Sequence, residues 1–447
     1  MKKIFLILLI LQSGIYSAKA QETINLKQAV EAAIQNNTVV SNLKKSLEVQ
    51  QLNTKGYKGN LLPNLSMNAS MSRNNTYSGG TVTFQNGVPT IIPEQDSWIN
   101  NFRVGLSSSV VLFNGFSNYE QIDLGKENET SVRININKQI IDISYNVTAA
   151  YFDLLKKEKI VKANQDNLAD SQLQLDRIKE YMNVGKKTIS DVYKQDVQVA
   201  QNELILQRSI NEFDKSKVDL LYVMNTNMNR DILPSDDNLK TELSEDELKN
   251  VLNKNSNTEV LLSQALENRY DYKSYEQTIK INEVQLSIDK KNLFYPTISA
   301  FANYNVNASR VNDILDSRTF SFGLNLTYSL FSGFSLMNKM QTSEITIKQN
   351  QDNLSQLQQQ IRSELKKSYL DLQTAYKQIE ISNRNLVSAE QDKLLSEENY
   401  RVGLGTLLDV QTASTKLNAL KIERINAYYD FMLAKKKLEY YTGDLTY

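Results

Sequence analysis

The sequence consists of two similar halves, and this duplication restricts the possible folds more than any other feature. The phrase VLFNGFS at 111–117 returns as SLFSGFS at 329–335. The offset between these phrases also aligns Gly185 with Gly403. A chain with two equivalent halves contains each structural unit twice, so an interpretation of one half must also suit the other.

Each half contains a long tract with neither glycine nor proline. One tract lies between Gly125 and Gly185, and the longer one lies between Gly333 and Gly403. They predict very long helices, about 100 Å for the longer one. Apolar residues recur every seven positions: Ile140, Val147, Leu154, Val161, Leu168, Leu175 and Met182, then Leu365, Leu372, Ile379 and Leu386. This period predicts helices packed side by side along a narrow seam, and an ordinary extended coiled coil is the alternative.

The segments before the long helices alternate between apolar and small polar residues. Apolar residues in the second half are Phe320, Phe322, Leu324, Leu326, Tyr328 and Leu330, and those in the first half include Phe102, Val104 and Leu106. A period of two predicts strands. We therefore expect one hairpin in each half, at about 64–113 and about 297–331.

The two hairpins differ in the length of their loops. Pro63 aligns with Pro296, but the chain between Pro63 and its repeated phrase is longer than the chain between Pro296 and the second copy. The first half therefore carries an insertion. We expect it in a loop around 78–97, because loops tolerate insertions. The second loop, around 310–317, is shorter.

The alternation also suggests where these strands lie. Strands of about ten residues with one apolar face are typical of outer-membrane barrels. Four strands cannot close a barrel, and an open edge is not stable in lipid, so several chains must combine their strands. The predicted lipid-facing residues are Phe320, Phe322, Leu324 and Leu326. Hairpins packed on a soluble core are the alternative, but the chain offers little else to cover them.

The repeated phrase lies where an apolar strand ends and a long helix begins. Each copy supplies a phenylalanine for the membrane boundary, a glycine for a sharp turn and a serine to cap the helix. These residues are Phe113, Gly115 and Ser117, then Phe331, Gly333 and Ser335. We interpret the phrase as the joint between a barrel and a helical tunnel.

Composition argues against several classes of function. The chain has no cysteine and no histidine, which excludes disulfides, Ser-His-Asp triads, cysteine nucleophiles and the usual zinc sites. No phosphate-binding loop or nucleotide fingerprint is present. We therefore expect neither an enzyme nor a bound cofactor or metal.

The N-terminal segment 1–20 is typical of a signal peptide cleaved after Ala20. Two lysines precede an apolar run at 4–11 that is too short to span a bilayer, and Ala18 and Ala20 have the spacing of a cleavage site. A membrane-anchoring helix is the alternative. Without the lysines of this peptide the chain is slightly acidic, so nothing indicates nucleic-acid binding.

The duplicated helix, hairpin and long helix pair, with the LFSGF joint and YRVGLGTLLDV at 400–410, resembles the TolC-type outer-membrane efflux proteins. The similarity extends from 24–37 to 440–445. It implies a mainly α fold in which a duplicated coiled-coil α-barrel joins a transmembrane β-barrel completed by oligomerisation. Three chains would contribute four strands each to a 12-stranded barrel.

The resemblance also implies the organisation and the partners of the chain. The first repeat would span 21–228 with its long helix pair at about 117–228, and the second 260–447 with its pair at about 335–441. Residues 229–259 would wrap the tunnel or act as a flexible linker. The protein would be a passive homotrimeric conduit in outer-membrane lipid with a periplasmic extension. An inner-membrane transporter and a periplasmic adaptor would be its partners.

The resemblance further places a periplasmic gate at the helix breaks, at Gly185 and Gly403. Tyr400 matches the gating tyrosine, Asp409 the first aspartate of the entrance ring, and Asp191 its partner carboxylate. Alternatively, the two aspartates merely begin helices, where a carboxylate suits the positive end of the dipole.

This chain departs from the family pattern at two positions. Gly405 stands where the best-known members have arginine, and Thr412 stands where they have a second aspartate. A weaker ring and a different closing network are expected. The cargo stays open, and so does a second function, a periplasmic coiled-coil scaffold or adaptor outside the membrane. Such a scaffold would not need the apolar alternation at 320–330.

Overall fold

The computed structural model describes residues 22–235, 244–310 and 317–445. The predicted signal peptide lies outside the described residues. So do part of the segment between the repeats and most of the second hairpin loop.

Helices make up most of the described chain. They are α1 Leu26–Asn36, α2 Thr38–Gly59, α3 Ser117–Asn183, α4 Ile189–Val223, α5 Glu245–Lys254, α6 Thr258–Asn268, α7 Tyr270–Phe294, α8 Ser335–Val402 and α9 Leu407–Thr442. The strands are β1 Glu22–Ile24, β2 Asn64–Ser78, β3 Thr81–Gln85, β4 Val88–Ile92, β5 Gln95–Phe113, β6 Ile232–Pro234, β7 Thr297–Ala308 and β8 Arg318–Thr327. Within these ranges no helix combines the length and the apolar character that a membrane crossing requires.

The two glycine-free tracts form α3 and α8, of 67 and 68 residues. Every predicted seam residue is buried or half-buried, and Val147, Leu154 and Leu372 are fully buried. The seven-residue period therefore identifies the packed stripe of each long helix correctly. Each long helix is followed by a shorter one, which gives the pairs α3–α4 and α8–α9.

The chain divides into two compact units. The first holds the described residues of 1–44, 134–274 and 355–447. One apolar cluster in it contains residues of α1, α3 and α4, and another contains residues of α5, α6, α8 and α9. Leu248 of α5 is 3% exposed in the second cluster, so this part of the segment between the repeats is packed.

A buried tyrosine ties the two short strands of this unit to α3. Strands β1 and β6 pair in parallel, and Tyr151 lies fully buried beside them. Its hydroxyl is 2.9 Å from the Ile24 carbonyl oxygen and accepts from the Ser235 N–H at 3.0 Å. The N-terminal strand is thereby held against the chain that follows α4.

The second unit holds the described residues of 45–133 and 275–354 and contains a four-stranded sheet. Its order is β2-β5-β7-β8, with every neighbouring pair antiparallel. In the first half, β2 and β5 form a hairpin, and in the second half β7 and β8 form another. The β5–β7 pairing joins the two halves. Strand β8 ends at Thr327, although the apolar alternation continues to 330.

The connection expected around 78–97 joins β2, which ends at Ser78, to β5, which begins at Gln95, and it contains secondary structure that was not predicted. Strands β3 and β4 form a hairpin there. Asn86 and Gly87 connect them with φ of 51° and 78°. Two successive positive φ angles suit the right-handed twist of the strands, and Asn-Gly adopts them readily.

Candidate functional site

One face of the four-stranded sheet is apolar and exposed. The register places Met67, Leu106, Tyr304 and Phe320 in one row across all four strands. A continuous apolar face of this kind is costly in water and stable against lipid chains. The predicted lipid-facing residues all lie on it with 64% to 77% of their surface exposed: Phe320, Phe322, Leu324 and Leu326.

The opposite face of the sheet is mostly polar. The Oγ atoms of Ser66 and Ser107 are 2.7 Å apart across β2 and β5. Arg103 on β5 donates through Nε to Asn307 Oδ1 on β7 at 3.0 Å. These hydrogen bonds satisfy polar groups between strands and leave a surface that suits water.

Both copies of the repeated phrase adopt the same backbone turn before the long helix. Gly115 and Phe116 have φ of 65° and 62°, and Gly333 and Phe334 have 61° and 66°. Glycine adopts this left-handed conformation freely, whereas phenylalanine does so at a cost. Sequence reasoning identified the two glycines and missed the strained phenylalanine after each.

An aromatic pair accompanies each turn. Phe113 and Phe116 have ring centroids 5.6 Å apart at 86°, and Phe331 and Phe334 have centroids 5.4 Å apart at 87°. Edge-to-face pairs of this geometry are attractive, so they offset part of the backbone strain. The matching geometry shows that the duplication extends to the side chains.

The helix caps after the joints differ from the expected serines. The Asn118 N–H donates to Asn114 Oδ1 at 3.4 Å, and the Leu336 N–H donates to Ser332 Oγ at 3.4 Å. Ser117 Oγ is buried and has no hydrogen-bond partner among the described residues. The capping side chain therefore stands one helical turn before each predicted serine.

The two long helices end in the same way. Gly185 and Gly403 have φ of 77° and 84°. In each break the N–H of the next residue donates to a carbonyl oxygen in the last turn of the helix at 2.8 Å, which is the Schellman pattern. A Cβ at either glycine would meet no atom of the described chain within 4 Å. The backbone conformation, and not space, therefore requires glycine at both breaks.

Both predicted gate aspartates take part in capping boxes. The Thr188 N–H donates to Asp191 Oδ2 at 3.2 Å, and the Thr406 N–H donates to Asp409 Oδ2 at 2.8 Å. Backbone and side-chain hydrogen bonds from Thr406 lower the pKa of Asp409. The Asp409 carboxylate is exposed, so it caps α9 and also presents a negative charge to solvent.

Tyr400 lies inside an apolar cluster at the breaks and is 4% exposed. The cluster also contains Ile178 of α3, Val192 of α4 and Val410 of α9. Burial, assisted by the charge of Asp191, raises the pKa of Tyr400 to about 12. The hydroxyl has no hydrogen-bond partner in the described chain and stays neutral at physiological pH.

Lys187 contacts Tyr400 directly and was missed by sequence reasoning. Its Nζ donates to the Tyr400 carbonyl oxygen at 2.8 Å and lies 3.5 Å from the centroid of the Tyr400 ring. The sequence offered one signal for Lys187. The offset between the repeated phrases aligns it with Gly405, one of the two positions at which this chain departs from the family pattern.

The model of the outer membrane efflux protein family matches residues 29–220 and 261–444. The chain belongs to the outer membrane efflux protein family. The outer membrane efflux protein BepC of Brucella suis biovar 1 (strain 1330) is 21% identical over 443 residues, covering 98% of this chain and 89% of BepC. The outer membrane protein TolC of Salmonella enteritidis is 21% identical over 380 residues, covering 77% of this chain and 74% of TolC.

A solved structure shares the fold. Crystal structures of CusC match with a TM-score of 0.76 at 15% identity, covering 94% of this chain and 92% of CusC. The predicted family and the mainly helical fold class with hairpins are thereby confirmed. The predicted function, an outer-membrane efflux channel and not an enzyme, is confirmed as well.

Proposed function

We propose that this chain forms a homotrimeric passive conduit from the periplasm to the exterior. The observation that carries the proposal is the four-stranded sheet, whose outer strands β2 and β8 have no further neighbour among the described residues. An open edge beside a lipid-facing surface leaves backbone groups without hydrogen bonds in a medium that supplies none. Pairing with further copies satisfies them.

The strand directions support closure by identical copies. Strands β2, β5, β7 and β8 alternate in direction, so β8 of one copy placed beside β2 of the next is again antiparallel. Three copies of the four-stranded sheet make a closed barrel of 12 strands with the antiparallel pattern unbroken. The apolar face then contacts lipid, and the polar face lines the lumen.

The helix pairs of three copies would continue the conduit as a periplasmic tunnel. We place its gate at the two helix breaks, with Tyr400, Asp191 and Asp409 at the entrance and Gly185 and Gly403 as the turns. Three exposed Asp409 carboxylates around one axis would favour cations. The Phe113 and Phe331 pairs would lie at the membrane boundary, where aromatic residues are common.

A passive conduit needs partners that supply energy. The sequence has no nucleotide-binding motif, so we propose an inner-membrane transporter and a periplasmic adaptor as partners, in a tripartite efflux or type I secretion system. The signal peptide would direct export of the chain and be cleaved after Ala20. The proposed cargo is a hydrated solute, since the polar face of the sheet carries serine and asparagine side chains.

The test of the conduit is electron microscopy of the detergent-purified mature protein, with its mass measured in parallel. Hollow particles with threefold symmetry and the mass of three chains are the expected result. Monomers or thin rods that stay in solution without detergent would overturn the proposal and favour a periplasmic scaffold.

A further inference from the structure

The loop between α3 and α4 reaches the end of α8 through one lysine. Lys187 Nζ donates to the Tyr400 carbonyl oxygen at 2.8 Å, and the same ammonium lies 3.5 Å from the ring centroid of that tyrosine. One cation therefore contacts both the backbone and the side chain of Tyr400. Tyr400 lies in the last turn of α8, which ends at Val402.

The position of this carbonyl explains why a cation suits it. The last carbonyls of a helix lack intrahelical partners and form the negative end of the helix dipole. In α8 the Tyr400 carbonyl also receives the Gly403 N–H, at the longer distance of 3.3 Å. A cation above an aromatic face adds attraction to the same residue. The contact thus combines three favourable terms at one point.

The second break has no lysine at the position equivalent to Lys187, so the two breaks differ in this contact. The residue equivalent to Lys187 in the second half is Gly405. A Cβ at Gly405 would lie 3.2 Å from Asn399 Cβ and 3.4 Å from the Tyr400 nitrogen, so a side chain there would press on the last turn of α8. The pair of breaks therefore has a lysine in the first loop and a glycine in the second.

We propose that Lys187 is a positioning residue of the gate, a clasp that joins the first helix break to Tyr400 and holds the entrance closed. This inference rests on the proposed conduit. Other contacts also join the two helix pairs: Lys393 Nζ of α8 lies 2.9 Å from Asp170 Oδ2 of α3, and Gln411 Nε2 of α9 donates to Gln195 Oε1 of α4 at 3.1 Å. Lys187 differs from them because it belongs to the loop of the first break itself. For the α3–α4 break to move away from the end of α8, the Lys187 contacts must break together with the packing of Tyr400 on Ile178 and Val192.

Lys186 provides a matched control for the test. It carries the same charge one residue earlier, and its side chain is exposed. Lys186→Met and Lys187→Met remove the same charge from the same loop, but only the second removes the clasp. Lys187→Arg retains a cation and a donor of similar reach.

The experiment is single-channel recording in planar lipid bilayers of wild type, Lys187→Met, Lys187→Arg and Lys186→Met. We expect Lys187→Met to raise the time-averaged conductance about fivefold, because the loss of one cation–π contact should shift the equilibrium between open and closed channels by about that factor. Lys187→Arg and Lys186→Met should stay near wild type. Mass and heat resistance of the assembled particle should be the same for all four.

Two outcomes would overturn the clasp. One is equal conductance of Lys187→Met and wild type, including the case in which both are silent. The other is an equal rise in Lys186→Met, which would make the effect one of general charge. If Lys187→Met does not assemble, Lys187→Gln, which keeps a donor without the charge, must conduct more than wild type. Failure of the conduit itself is detected separately, by the absence of three-chain hollow particles.

Discussion

At the scale of single residues, the aspartates after the helix breaks combine two roles in one side chain. Asp409 Oδ2 accepts from the Thr406 N–H at 2.8 Å and from the Thr406 hydroxyl at 2.7 Å. The carboxylate is nevertheless exposed and charged, because these hydrogen bonds lower its pKa. Helix capping and charge at the entrance are therefore compatible, and a substitution must separate them.

Asp409→Asn and Asp409→Ala provide that separation. Asparagine removes the charge and keeps an oxygen that accepts the capping hydrogen bonds, whereas alanine removes both. We expect both variants to lose cation selectivity, measured as the reversal potential in a salt gradient. Only the alanine variant should also lose heat resistance. An unchanged reversal potential for Asp409→Asn would leave capping as the sole role of this aspartate.

The joints show what residue-level reasoning could and could not find. Glycine at 115 and 333 signals a turn in any sequence, and a Cβ at Gly115 would lie 2.7 Å from Tyr295. The positive φ of Phe116 and Phe334 had no such signal, because residues other than glycine seldom adopt this conformation. Contacts of Lys187 with Tyr400 were hidden for a different reason, since the two residues are distant in sequence.

At the scale of elements, periodicity identified the long helices and the main strands because each has one consistently apolar stripe or face. It could not supply the β5–β7 pairing, since alternation defines the faces of a strand but not its neighbours. The β3–β4 hairpin was missed even though Asn86-Gly87 is a strong hairpin signal. The expectation that the additional residues of the first half form a loop did not use this signal.

The two faces of β8 allow a matched test of its environment. Leu324 is on the apolar face, and Asn325, the next residue, is on the polar face. Leu324→Lys places a charge against lipid at a cost of about 2 to 4 kcal/mol near the bilayer midplane. Asn325→Lys places the same charge toward water. We expect the first variant to reduce assembled protein in the outer-membrane fraction and the second to be tolerated.

The second measurement for these two variants is the temperature at which the assembled protein dissociates, followed on a gel. Leu324→Lys should dissociate at a lower temperature than Asn325→Lys. Equal behaviour of the two variants would mean that both faces of β8 meet the same medium, which contradicts a lipid-facing sheet.

At the scale of the whole molecule, polar contacts join elements that lie far apart in the sequence. Arg269 donates to both carboxylate oxygens of Asp271, at 3.0 and 2.6 Å, and to Glu364 Oε2 at 2.8 Å. The Tyr440 hydroxyl donates to Asp142 Oδ1 at 2.7 Å. The Arg269 hydrogen bonds connect the junction between α6 and α7 with α8, all in the second half. The Tyr440 hydrogen bond connects α9 of the second half with α3 of the first. Short-range patterns could not reveal them.

The Arg269 side chain is 10% exposed, and its two carboxylate partners are 24% and 23% exposed. Removal of the guanidinium leaves two largely buried negative charges without compensation, which costs about 3 kcal/mol or more. Arg269→Met should therefore lower the dissociation temperature of the assembled protein clearly. Lys126→Met, which removes an exposed ion pair with Asp123, should have little effect.

The ion pairs of Arg269 also predict how stability changes with pH. Burial opposes ionisation of Asp271, but the hydrogen bonds and charge of Arg269 outweigh it and lower the pKa of this carboxyl. A lowered pKa contributes stability that is present above the unfolded value near 3.8 and is lost as the pH falls through the folded value. Wild type should thus lose heat resistance below about pH 4, and Arg269→Met should show a smaller loss over that range. Parallel acid profiles of the two proteins would mean that Arg269 does not set this pH dependence.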